Sequence, residues 1–195
     1  MGREFELKFA ATPQNHTDLQ ARYGTFTPIT METVYYDTPD RALSARHITL
    51  RRRLENGKSV CTLKTPAAEG GRGEWELECD SIEAAIPTLC KLSRMAELLS
   101  LTQNGVQSVC GARFTRLAKA LTLPDCTVEL ALDSGVLLGG GREVPLCEIE
   151  VEAKSGSEGA VTAFAQSLAQ EFSLKSEPKS KFRRAMALAE GENHV

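Results

Sequence analysis

Six stretches of this 195-residue chain alternate charged and apolar residues with a period of two, and this constrains the fold more than any other feature. A strand sends successive side chains to opposite faces. Glu4, Glu6 and Lys8 therefore share one face, and Phe5, Leu7 and Phe9 take the other. Arg51 and Arg53 oppose Ile48, Leu50 and Leu54; Arg52 falls on the apolar side, where its stem can snorkel at an edge. Thr62 and Lys64 oppose Cys61 and Leu63, and Glu74, Glu76 and Glu78 oppose Trp75, Leu77 and Cys79. Glu129 and Asp133 oppose Val128, Leu130 and Leu132. Glu148, Glu150 and Glu152 oppose Cys147, Ile149 and Val151.

An antiparallel sheet with one dry and one wet face explains any single strand of this kind. It does not explain six. Carboxylates two residues apart on one strand lie about 7 Å apart, and several such clusters on an open surface repel without gain. The pattern instead predicts a sheet closed into a barrel with the charges inside and apolar faces outside, covered by helices. Such an interior needs a multivalent cation among its carboxylates and a polyanion among its Arg and Lys side chains. All-oxygen ligands suit Mg²⁺, Mn²⁺ or Ca²⁺ and not zinc. Arginine grips phosphate oxygens in bidentate fashion.

The remaining elements fit that frame. Strands are expected over Arg3–Phe9, Ile29–Asp37, His47–Leu54, Lys58–Thr65 and Gly73–Cys79, with an Asn56-Gly57 hairpin joining the third and fourth. One or two follow in Val106–Leu123, then Thr127–Asp133, Val136–Leu138 and Val144–Ala153, with a turn at Gly139-Gly140-Gly141. Helices are expected from Thr12-Pro13 to about Tyr23, from Asp80 (with Glu83 at capping-box spacing) to about Leu99, over Ser157–Phe172 and over Ser180–Ala189. The class is α+β, with one domain over 1–190 and a loose tail over 191–195.

Composition narrows function. A net charge of −3 from 23 basic and 26 acidic groups argues against a nucleic-acid binder. No apolar run reaches the roughly 18 residues that span a bilayer, and Met1-Gly2-Arg3-Glu4 does not open a signal peptide. No Cys-x-x-Cys occurs among the six cysteines, which read as thiols of a cytoplasmic protein, neither a disulfide frame nor a zinc site. Oligomeric state is not readable.

Several motifs in order resemble the CYTH domain, the triphosphate tunnel metalloenzymes. Glu4-Phe5-Glu6-Leu7-Lys8 resembles that family's Glu-x-Glu-x-Lys signature, and Tyr35-Tyr36-Asp37-Thr38-Pro39 its next block. Leu50-Arg51-Arg52-Arg53 is similar to its Leu-Arg-x-Arg, followed by Thr62-Leu63-Lys64-Thr65 and Arg72-Gly73-Glu74-Trp75. Glu129 to Asp133, Glu148 to Glu152 and Ser180-Lys181 resemble its later acidic strands and C-terminal Ser-Lys. The resemblance implies an eight-stranded antiparallel tunnel that binds a triphosphate with Mg²⁺ or Mn²⁺. Bacterial inorganic triphosphatases are the most similar members. Hydrolysis of inorganic triphosphate to diphosphate and phosphate is the expected activity. A class IV-type adenylyl cyclase, a thiamine triphosphatase and a non-catalytic polyphosphate- or nucleotide-binding module are the alternatives.

On that resemblance Glu4, Glu6 and Lys8 are the candidate catalytic residues. Lys8, Arg51, Arg53, Lys64, Arg72, Arg116 and Lys181 are candidate phosphate ligands, with Arg113 or Lys119 as alternatives to Arg116. Glu4, Glu6, Asp133, Glu148 and Glu150 are candidate metal ligands, with Glu129 beside Asp133. Glu152 reads equally as a surface residue. Glu74 and Glu76 face correctly but can simply pair with Arg51 or Arg53. The partner is a small-molecule triphosphate, with neither nucleic acid nor membrane.

Overall fold

The computed structural model describes residues 2–66 and 72–191, with side chains from residue 5 onward. The sequence-predicted loose tail lies outside those residues apart from Gly191, an exposed left-handed C-cap. All strands described belong to one antiparallel sheet. In chain order they are β1 (Gly2–Glu4), β2 (Glu6–Ala10), β3 (Thr27–Asp37), β4 (Thr49–Glu55), β5 (Lys58–Pro66) and β6 (Arg72–Glu78). They continue with β7 (Gln107–Thr122), β8 (Cys126–Gly139), β9 (Arg142–Gly156) and the two-residue β10 (Lys175–Ser176). The spatial order is β1-β6-β5-β4-β3-β7-β8-β9-β2-β10.

The ends of that order explain the tunnel. β1 and β2 are one N-terminal run interrupted at Phe5. Its first part pairs with β6, Glu4 opposite Arg72, and its second with β9, Lys8 opposite Glu150. A single run thus meets both edges of the sheet, as the eight-strand expectation requires, and leaves little exposed edge. Val106–Leu123 is one strand. Thr127–Asp133 and Val136–Leu138 are not separate, because β8 runs unbroken through Ser134-Gly135. The hairpin turns are as expected: Asn56 and Gly57 have φ of 50° and 84°, and Gly140 and Gly141 have 58° and 73°. Positive φ at both central residues is what a type I′ turn demands.

The helices are α1 (Pro13–Tyr23), α2 (Ala42–Ala45), α3 (Ile82–Ser93), α4 (Glu97–Leu101), α5 (Glu158–Glu171) and α6 (Lys181–Glu190). The expected helix from Asp80 to Leu99 is corrected in two ways. Ser81, not Asp80, is the N-cap and accepts from the Ala84 amide at 3.3 Å. Arg94 adopts a left-handed backbone (φ 57°) that separates α3 from α4. Pro87 does not break α3, because it and Glu83, whose carbonyl loses its partner, both lie on the exposed face.

Two apolar clusters coat the outside. Phe9, Val128, Leu130, Leu132, Ile149 and Val151 pack under α1 and α5 through Leu19, Val161, Ala165 and Leu168. Leu50, Cys61 and Leu63 pack under α2, α3 and α4 through Leu43, Ile82, Leu89 and Leu98. Each fully buried leucine contributes about 1.5–3 kcal/mol. The third cluster departs from the expectation that helices only cover the outside. Ala112, Phe114, Leu137 and Leu146 share the inward face of their strands with Arg116, Asp133 and Glu148, and Ala185 of α6 packs on them. Helix α6 therefore fills one end of the interior. Gly139 permits this approach, since a Cβ there would stand 2.4 Å from the Ala185 carbonyl oxygen. None of the described helices is long and apolar enough to cross a membrane.

Candidate active site

The interior holds a cavity of about 490 Å³. Lys8, Arg51, Arg53, Lys64, Arg72, Arg116 and Lys181, all expected as phosphate ligands, line it together. So do Glu6, Glu74, Glu76, Glu129, Glu150 and Glu152. Strand alternation resolves the Arg116 alternatives. Arg113 points outward to Glu143 at 2.6 Å, and Lys119 donates to the Thr25 carbonyl at 2.9 Å. The side chain of Glu4 lies outside the described residues; its backbone sits in register with cavity-lining Arg72.

One wall is basic. Arg51 reaches Glu74 and Glu76 at 3.3 and 3.4 Å, and Lys64 reaches Glu74 at 3.2 Å, so the pairing considered for those glutamates is present. Arg53 donates to Thr33 Oγ1 at 2.9 Å and stands 3.7 Å from Glu55. Burial, with repulsion from Arg51 and Arg116, pushes its guanidinium down to about 10. It remains cationic at neutral pH, in surroundings that favour a further anion. Arg72 is fixed by the His47 carbonyl (3.1 Å) and Thr49 Oγ1 (3.0 Å).

The opposite wall is acidic at its open end. Glu6, Glu152 and Glu129 face one another in register across β2, β9 and β8. Like charges directly opposite are destabilising. Lys8 (3.1 Å from Glu6) and Lys154 (2.8 Å from Glu152, 3.9 Å from Glu129) offset part of this. Glu152 is therefore a cavity residue and not one of the outer surface.

Deeper, beside α6, the charges are closed on themselves. Asp133 and Glu148 are fully buried, with Glu150 beside them, and one carboxylate oxygen from each lies within 4.8 Å of the others. Arg116 grips Asp133 through Nε and Nη2 at 2.8 and 2.7 Å and also reaches Glu150. Lys181 donates to Glu150 at 2.8 Å, contacts Glu148 and lies 2.7 Å from Asp133. Arg184 donates to Glu148 at 2.7 Å. Ser180 sets this up by capping α6, its hydroxyl accepting from the Arg183 amide at 3.2 Å, so that Lys181 starts the helix and turns inward.

Titration follows the geometry. Burial would raise Glu150, but Lys181 and Arg116 outweigh it and hold the carboxyl well below the usual range. Burial pushes Glu148 up to about 7, with the Glu150 and Asp133 carboxylates reinforcing it against Lys181. Lys181 is raised, because its three carboxylates overcome its burial.

Sequence reasoning missed Arg184, which reads as an ordinary polar residue of an amphipathic helix. It also gave Asp37 no role beyond the motif. Asp37 is fully buried and accepts from the amides of Thr38 (2.8 Å), Leu43 (3.0 Å) and Ser44 (3.2 Å). It thereby anchors α2 and steers the chain into β4 and its arginines.

A family model, the CYTH domain, matches residues 2–186. The inorganic triphosphatase of Haemophilus influenzae is 29% identical over an alignment covering 96% of this chain and 55% of that protein. The chain thus spans about half the length of that curated relative. A candidate adenylate cyclase from Bacillus halodurans shares the fold with a TM-score of 0.66 at 21% identity, covering 93% of this chain and 96% of that one. A Hippeastrum protein described as having a dominant triphosphatase activity does so with 0.66 at 20% identity, covering 98% and 97%.

Proposed function

Because the chain belongs to the CYTH domain family, we propose that it hydrolyses inorganic triphosphate to diphosphate and phosphate inside its tunnel, with Mg²⁺ or Mn²⁺. The observation that carries this is one cavity lined by seven cations, Lys8, Arg51, Arg53, Lys64, Arg72, Arg116 and Lys181, together with the carboxylates Glu6, Glu129, Glu150 and Glu152. The Haemophilus influenzae relative, an inorganic triphosphatase, supports the choice of substrate.

The donor set fits a hard divalent cation, since the acidic wall offers only carboxylate oxygens. Glu6 and Glu150 are the ligands we assign, with Glu4 completing the signature and Glu129 and Glu152 beside them. Asp133 and Glu148 were candidates from sequence, and their oxygens lie close enough together with those of Glu150. We assign them instead to holding Arg116, Lys181 and Arg184, because both are fully buried and neither lines the cavity, whereas Glu150, held by the same Arg116 and Lys181, does line it. A bound cation supplies charge neutralisation and acidifies a coordinated water.

The protein's own residues bind and orient. Arg51, Arg53, Arg72 and Lys64 take the phosphate oxygens on the basic wall, while Lys181 and Arg116 project from the buried network. That network fixes both cations before substrate arrives, so little reorganisation is needed as charge develops. Phosphoryl transfer depends mostly on such positioning and charge stabilisation.

The test is incubation of the purified chain with inorganic triphosphate, ATP or thiamine triphosphate, each with Mg²⁺ or Mn²⁺, reading phosphate and cyclic AMP. Phosphate release fastest from inorganic triphosphate is expected. Cyclic AMP from ATP, preferential thiamine triphosphate cleavage, or binding without turnover would each overturn the assignment.

A further inference from the structure

A second cavity, of about 620 Å³, lies between α6 and the segment from α2 to β4. It is basic, with Arg72, Lys179, Arg183 and His47 against Glu190. Of its lining residues the proposed reaction uses Arg72. Thr49, Arg72, Ser180, Phe182 and Arg183 line both this groove and the tunnel cavity, so the two meet at a neck formed by these residues. Phe182 is the aromatic side chain in that neck. Its ring stacks on Tyr35 at 5.1 Å between centroids with a 50° tilt, and Tyr35, only 3% exposed, lines the tunnel cavity but not the groove.

We propose that the Phe182–Tyr35 ring pair is a chain-length stop: it ends the phosphate-binding track and makes the site select triphosphate over longer linear polyphosphates. The argument has three parts. First, the cations that line the tunnel, Arg51, Arg53, Lys64 and Lys181 among them, do not line the groove, so the phosphate-binding track changes character at the neck. Second, the neck residues besides Phe182 are polar or cationic, so they suit a phosphate chain, and the apolar ring at this point offers it no hydrogen bond. Third, the groove beyond already carries the cations that trailing phosphates would need. Removal of the ring therefore joins two basic compartments. Phe182 acts as a specificity-determining residue and touches no reacting atom.

This rests on the triphosphatase reading, and its test is arranged to fail separately. Wild type, Phe182→Ala and the milder Phe182→Leu are compared on triphosphate, tetraphosphate and long-chain polyphosphate. Phosphate release is read with Mg²⁺, and affinity is read by calorimetry without metal. Wild type is expected to prefer triphosphate to tetraphosphate. Either folded variant should raise the tetraphosphate-to-triphosphate ratio by at least about tenfold, the scale on which a pocket wall discriminates. Phe182→Trp should keep the wild-type ratio, which a merely structural role does not predict. A wild type that treats both chains alike, or a folded variant with an unchanged ratio, overturns the stop. If wild type hydrolyses neither chain the triphosphatase reading fails, and the calorimetric ratio alone decides the stop.

Discussion

The buried network around Lys181 gives the sharpest energetic prediction. Asp133, Glu148 and Glu150 are matched by Arg116, Lys181 and Arg184, three charges of each sign. Lys181→Met leaves three carboxylates facing two cations, with Asp133 and Glu148 fully buried. Removing one partner of a buried ion pair costs about 3–5 kcal/mol, a large share of the roughly 5–15 kcal/mol that holds a domain together. At about 2–4 °C per kcal/mol for a chain of this length, the melting temperature should fall by about 6–20 °C. Glu148→Gln in the same chain restores the count to two charges of each sign, with Asp133 and Glu150 held by Arg116, and Arg184 left to Glu177 at 4.0 Å. The double variant should thus be more stable than the two single losses imply, by about 2–3 kcal/mol of coupling. Denaturant melts of all four proteins in chelator measure this without reference to turnover. The deficit of Lys181→Met should also shrink on acidification. Glu148 sits at about 7 against an ordinary 4.5, so its proton favours the folded state. That contribution is complete below about 4.5 and lost as pH rises through about 7. Single losses that simply add to within about 0.5 kcal/mol, or a deficit unmoved by pH, would refute the charge-balance argument.

The remaining predictions are briefer. Glu4→Gln or Glu6→Gln should each cut turnover by at least about 100-fold with an unchanged melting temperature, the usual loss for one key electrostatic group; near-normal turnover would sink the metal assignment. Arg51→Ala should weaken triphosphate binding by about 1.5–3 kcal/mol, the worth of a hydrogen bond to a charged group, and calorimetry showing an unchanged Kd would remove it from the site. Gly139→Ala should destabilise by about 1–3 kcal/mol, because the new methyl would lie 2.4 Å from the Ala185 carbonyl oxygen and 2.7 Å from the Ala189 nitrogen; a melt identical to wild type would mean that α6 is not held there. Burial pushes the Cys61 thiol up to about 11 and that of Cys110 up to about 12, so both should react slowly with a disulfide probe at mildly alkaline pH, and fast labelling in the folded protein would contradict their placement.

Much of this architecture is legible in the sequence. Period-two alternation told which residues of six strands face inward, and Arg51, Arg53, Lys64 and Glu150 do share one cavity, where Arg116, taken from the family resemblance, joins them. Asn56-Gly57 and Gly140-Gly141 marked their turns because few other residue pairs tolerate positive φ twice in succession. What alternation lacks is any mark of where a strand ends when the pattern fades. Ser134-Gly135 therefore read as an interruption, although β8 continues through it paired with both β7 and β9. The break at Phe5 had no local signal either. It follows from closure, where one run must leave β6 for β9, and closure is a property of the whole sheet.

The same limit explains the acidic residues. Facing is periodic in the sequence, but depth along a barrel is not. Glu129 and Asp133 share a face of β8, and Glu152 and Glu148 share one of β9. Yet Glu129 and Glu152 reach the open cavity, while Asp133 and Glu148 are sealed. The difference is made by α6, a separate element later in the chain, which plugs one end and brings Lys181 and Arg184 with it. A carboxylate at the open end has water and room, so it can exchange a lysine for a cation. One under the plug has neither, and its task becomes holding a phosphate-binding cation still. Identical residues at identical spacing thus divide into ligands and anchors by their distance from one helix, and Arg184 belongs with the anchors for the same reason.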